Sequence, residues 1–229
     1  MTAAIENSTG GLRALADNYL CRRYTVLFYV LLLTMVAVPL ITTFGLTGAL
    51  IELLLAASLL AAVMPIGTAR SRQALLTVTA LVWVARPMTA WFDHPALSAM
   101  TLGLWTLIAL FAAAGALRFA MTATRVDDEH LYAALSAYLL AGIFFGLFYW
   151  VLEQIEPGTF TGAGASTRMS ALYFSFVTLA TVGYGDIVPR TDIARGLTIV
   201  EGVGGQLFLA VMVARLVSLY ARGEPETKL

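Results

Sequence analysis

The run Thr181-Val182-Gly183-Tyr184-Gly185-Asp186 has residue types and an order suited to one chemistry, the coordination of a bare cation by main-chain oxygen. A cation leaves water only where other oxygen dipoles replace its hydration shell, and successive carbonyls aimed at one axis can supply them. In an ordinary strand successive carbonyls point to opposite sides. Glycine reaches positive φ at little steric cost, so Gly183 and Gly185 allow the backbone to alternate its handedness and bring those oxygens into line. One loop does not complete a shell; four copies around an axis do. The chain carries the run once, so the reading is a homotetramer with cyclic symmetry.

Such a loop has to be held at membrane depth, and the composition provides for that. Of 229 residues 59% are hydrophobic and 12% charged, too apolar for a soluble domain of this length. Formal net charge is zero, which suggests no polyanion or nucleic-acid partner, and the single cysteine, Cys21, excludes an intrachain disulfide. The first apolar run begins only at Tyr24 and is long enough to span, so no cleavable signal peptide is read.

A spanning helix needs about twenty mostly apolar residues. Six such stretches are expected, near residues 24–43, 46–66, 74–92, 97–121, 131–154 and 193–220. Residues 1–23 form a cytoplasmic N-terminal segment, 24–121 a four-helix membrane domain, 122–130 a charged linker, 131–220 a pore domain and 221–229 a short cytoplasmic tail. Met169 to Ala180 is too short to cross a bilayer and is expected as a re-entrant pore helix leading into the loop. The stretch before it, Glu156 to Arg168, carries Pro157, Gly158, Gly162 and Gly164 and is expected to lack regular structure. Basic residues set the orientation. With both termini inside, ten of the fourteen lie on inner flanks, and Arg86, Arg168, Arg190 and Arg195 lie outside. The fold class is therefore an all-α membrane protein with six transmembrane helices, a re-entrant pore helix and a filter, assembled as a homotetrameric pore.

The Thr-Val-Gly-Tyr-Gly-Asp run, its apolar lead-in and the spans on either side resemble the potassium-channel family. The resemblance is specific over about residues 131–220 and generic before them. It implies that carbonyls of Thr181, Val182, Gly183 and Tyr184 line potassium sites, with the Thr181 hydroxyl as the innermost ring and Gly185 completing the filter. The Tyr184 ring would pack outward and set the filter radius. Asp186 would brace the filter through Tyr173, where many relatives carry tryptophan. Glu153 resembles the glutamate that relatives use to tie the outer helix to the inner one. The chain departs from the pattern at Ala180, where many relatives have a second threonine, and at Val177, where some have a glutamate. Six spans with the filter between the last two also resembles the voltage-gated layout, which needs an arginine at every third position of the fourth span. Here that span has only Arg118, at its end, which a snorkelling anchor explains.

The last span holds Glu201, Gly202, Gly204 and Gly205. A bare carboxylate in lipid is costly, so Glu201 should face protein or water, and bracing the back of the pore helix is its expected role. In the family the inner helix bends at a glycine; Gly202, Gly204 and Gly205 are candidate hinges, or they permit close helix packing. Leu209, Met212 and Val213 are candidates for an apolar constriction that gates by dewetting. Arg86, alone in the third span, is expected to form an ion pair or to reach the interface. No cluster of nucleophile, base and orienter is present, and His94 and His130 are not spaced for a metal, so no enzyme and no cofactor beyond permeating potassium are expected. The implied function is passive potassium conduction across the cell (inner) membrane, with other copies of the chain and lipids as partners. The alternatives are a non-conducting or regulatory subunit of the same fold, or a subunit of a potassium transporter.

Overall fold

In lipid a backbone satisfies its polar groups only within helices or closed barrels, and the apolar runs among the described residues accordingly form helices. A computed structural model describes residues 22–43, 57–58, 62, 73, 76–81, 95–122, 127–162 and 164–223. Within them α1 spans Arg23–Thr43, α2 Pro95–Met121, α3 Asp128–Ile155, α4 Arg168–Leu179 and α5 Asp192–Gly223. Two three-residue strands flank α4, β1 at Phe160–Gly162 and β2 at Ile187–Pro189. Four of the helices, α1, α2, α3 and α5, are long and apolar enough to cross a membrane. Most of the expected spans at residues 46–66 and 74–92, Arg86 included, lies outside the described residues.

α3 is the central element, and its two faces are built for different neighbours. Toward α2 it presents Ala133, Ala134 and Ala137, which join a core cluster with Ala109, Ala112, Ala113, Ala116 and Ala120 of α2. Small side chains at helical spacing let membrane helices approach closely. Toward α4 it presents glycine. A Cβ on Gly142 would stand 2.5 Å from the Phe176 ring, and one on Gly146 would stand 2.9 Å from the Leu172 backbone. The short helix therefore lies directly against the α3 backbone.

The start of α3 also fixes the start of α1. Asp128 and Glu129 in its first turn suit the positive end of the helix dipole. Glu129 then reaches across and accepts from the backbone N–H of Tyr24 at 2.9 Å and of Thr25 at 3.3 Å, and from the Thr25 hydroxyl at 2.5 Å. Those N–H groups belong to the first turn of α1, where no intrahelical acceptor exists. Tyr24, Phe119 and His130 stack in series beside them, with ring centroids 4.5 Å apart at each step.

The stretch from Glu156 to Arg168 is more ordered than its glycine content predicts. β1 pairs antiparallel with β2, Phe160 facing Pro189 and Gly162 facing Ile187, and Arg190 N–H donates to the Thr159 carbonyl at 2.8 Å. The glycine is part of the reason: Gly162 sits at φ 140°, and a Cβ there would collide with the Asp186 carbonyl. Only glycine permits the two sides of the re-entrant segment to lie this close.

Candidate cation-binding loop

α4 is started by Thr167, whose side-chain oxygen accepts from Ser170 N–H at 3.1 Å. Its far end delivers the chain into the loop through a tightening turn. Thr181 N–H donates to the Thr178 carbonyl and Val182 N–H to the Val177 carbonyl, both at 2.9 Å. The backbone then alternates: φ is 56° at Thr181, 56° at Gly183 and 77° at Gly185, and negative at Val182 and Tyr184 between them. A backbone that reverses handedness at every second residue is not an ordinary strand, in which successive carbonyls point to opposite sides. Thr181 is the one non-glycine residue with positive φ among those described, a costly state for a β-branched side chain. All six residues from Thr181 to Asp186 are exposed in the single chain.

The loop is braced from outside. Tyr173 donates its hydroxyl to Asp186 at 2.8 Å. That hydrogen bond, followed by desolvation, raises the phenol above its ordinary pKa. Glu153, 5% exposed, accepts from Gly158 N–H at 2.9 Å and Phe160 N–H at 3.1 Å, with the Ser166 hydroxyl at 3.5 Å. Its partners lie in the segment leading to and following β1, so among the described residues it anchors the ribbon rather than tying α3 to α5 as the sequence suggested.

Glu201 lies at the junction of three helices and is fully buried. Tyr149 of α3 donates to one carboxylate oxygen at 2.6 Å, and Ser175 of α4 lies 2.5 Å from the other. Ser175 also reaches the Gly142 carbonyl at 2.8 Å. Tyr149 gives one carboxylate oxygen the donor that burial demands, and the single Ser175 proton serves either the other oxygen or the Gly142 carbonyl; these contacts join α3, α4 and α5 behind the loop. Ser175 and Tyr149 were not singled out from sequence, although each is a hydroxyl in an otherwise apolar stretch at the depth of Glu201.

The remaining α5 candidates separate. A Cβ on Gly205 would stand 2.7 Å from the Leu179 carbonyl, whereas Gly204 has open space and Gly202 meets only a methyl of Thr178 at 3.9 Å. Met212, 8% exposed, belongs to the core cluster with α2 and α3, while Leu209 and Val213 face away from the chain. One contact had no counterpart in the sequence reading: the Gln206 amide nitrogen donates to the Thr181 hydroxyl at 3.0 Å. Its signal was that Gln206 is the only amide side chain of the last span.

Long apolar helices on either side of a short helix and an alternating loop define a membrane protein of the ion-channel class. The family described as "Ion channel" matches residues 134–222, which run from α3 through α5. The chain is 48% identical over 59 residues to "Two-pore potassium channel 4" of Arabidopsis thaliana, covering 26% of this chain and 21% of that one. It is 28% identical over 107 residues to "Voltage-gated potassium channel" of Aeropyrum pernix, covering 45% and 34%. Over 100 residues it is 31% identical to "Protein LctB" of Bacillus caldotenax, covering 41% of this chain and 74% of that one. The chain belongs to the potassium-channel family. It covers only about a fifth of the plant channel's length and a third of the archaeal channel's. No solved structure matches it.

Proposed function

We propose that this chain forms a homotetrameric channel that conducts potassium passively down its electrochemical gradient. The observation that carries the reading is the positive φ at Thr181, Gly183 and Gly185 with negative φ between. That backbone turns the carbonyls of Thr181, Val182, Gly183 and Tyr184 to one side, where four copies replace the hydration shell of one ion. Non-helical backbone at membrane depth needs a polar partner. The exposed run 181–186 obtains one only from an axis shared with other copies and filled by ions and water.

In this reading Tyr173, Asp186, Glu153 and Glu201 support the filter from behind. Gly202 and Gly204, with room around them, are the positions at which α5 bends. Leu209 and Val213 are the pair available to narrow the inner path, Met212 being engaged elsewhere. Six spans place both termini in the cytoplasm and the filter near the outer face of the cell membrane, in accord with the ten-to-four distribution of basic residues. Helix α2 has one charged residue, Arg118 in its last turn, and so carries no arginine-type voltage sensor.

The test is flux from liposomes holding the purified chain under matched potassium and sodium gradients. Rapid potassium efflux with little sodium movement is the expected outcome. Equal movement of both ions, or of neither, overturns the reading.

A further inference from the structure

Gln206 has no role in the family resemblance or in the bracing described above, yet its amide reaches the first residue of the loop across 25 positions. The contact depends on how α5 is seated. Gly205 lies against the Leu179 carbonyl so closely that no side chain fits there, and the same carbonyl accepts from the Tyr138 hydroxyl at 3.1 Å. α5 is thus held at the height where the next residue, Gln206, meets Thr181. A threonine hydroxyl has one proton and two lone pairs. The Gln206 N–H occupies one lone pair; the other is left for a cation, and the hydroxyl can no longer turn freely.

We propose that Gln206 is a positioning residue for the innermost cation site, holding the Thr181 hydroxyl so that a lone pair, not its proton, faces the axis. The proposal rests on the conduction reading above. In a tetramer it makes four amide–hydroxyl pairs at the inner mouth of the filter. Without the amide each hydroxyl rotates and presents its proton to the ion part of the time, which weakens this site and leaves the outer carbonyl rings as they are.

The probe is barium, a divalent ion close to potassium in size, which the same oxygens bind more tightly because of its doubled charge. The full chain is recorded in bilayers with barium on the inner side. Gln206→Leu is expected to raise the half-blocking concentration about tenfold, because four hydroxyls are released to turn and each weakens the site by only a small part of a hydrogen bond's net worth. Gln206→Glu keeps the length but can only accept, so Thr181 donates to it and turns its proton from the axis; with the added charge, the half-blocking concentration falls. On a Thr181→Val background, which lacks the hydroxyl, Gln206→Leu has no further effect. Block unchanged in either Gln206 variant, or the same shift with and without the hydroxyl, overturns the proposal while leaving conduction intact. If Gln206→Leu does not assemble, Gln206→Glu is compared with and without the Thr181 hydroxyl: a fall that is smaller on the Thr181→Val background supports the proposal, and an equal fall overturns it. A wild-type chain that passes no potassium removes the conduction reading, and this one with it.

Discussion

Thr181 is the residue at which the chain departs furthest from ordinary backbone. A β-branched side chain at φ 56° stores on the order of 1–3 kcal/mol, retained only where its surroundings over-determine it. Gly183 and Gly185 adopt the same handedness with open space around the missing side chain, so the demand for glycine is conformational and not one of room. Any side chain there strains the loop, and a charged one adds a fixed field beside the ion. Gly183→Asp is therefore expected to abolish selectivity, read as a reversal potential under mixed potassium and sodium gradients that moves close to zero. A reversal potential still at the potassium limit would contradict the assignment of the loop. The glycine alternation was legible in the sequence because only glycine visits positive φ freely. The same state at Thr181 was not, since local preference argues against it and only the surrounding fold imposes it. The partners of Glu201 were hidden for another reason: Ser175 and Tyr149 lie 26 and 52 residues away in the chain, and no local pattern joins them.

Among the described elements, the existence of the four long helices was the most legible feature, because about twenty apolar residues leave the backbone little alternative in lipid. The helix ends were less so. α3 starts at Asp128, inside the stretch read as linker, because its acidic first turn both suits the helix dipole and caps α1 through Glu129. The β1–β2 ribbon was missed altogether, since the glycines that suggested irregularity are what allow the strands to approach. The α4–α5 contact yields a prediction that separates two adjacent glycines. Gly205→Ala forces α5 away from the Leu179 carbonyl and should destabilise the fold by about 1–3 kcal/mol, as overpacking does. Gly204→Ala, with nothing to strike, should be neutral or slightly stabilising through helix propensity. Thermal unfolding of the purified protein measures both, and equal effects would show that the close approach is not what holds α5.

For the molecule as a whole, what matters is which parts can move relative to the pore. One elementary charge crossing the field gains about 2.3 kcal/mol per 100 mV, and α2 has only Arg118, at its end, beside an alanine stripe packed into α3. Conductance is expected to vary only gently with voltage, and Arg118→Gln to leave that dependence unchanged in bilayer recordings. A steep curve that flattens in the variant would show that α2 carries a sensor after all. The ribbon has a mechanical consequence. Because Phe160–Gly162 is zipped to Ile187–Pro189, the short helix and its loop are a closed bight off the main line. A pull passed along the chain from α3 to α5 runs through those rungs and bypasses the covalent path through Thr181 to Asp186, so a movement of α5 reaches the most strained backbone only through side-chain contacts such as Gln206 on Thr181.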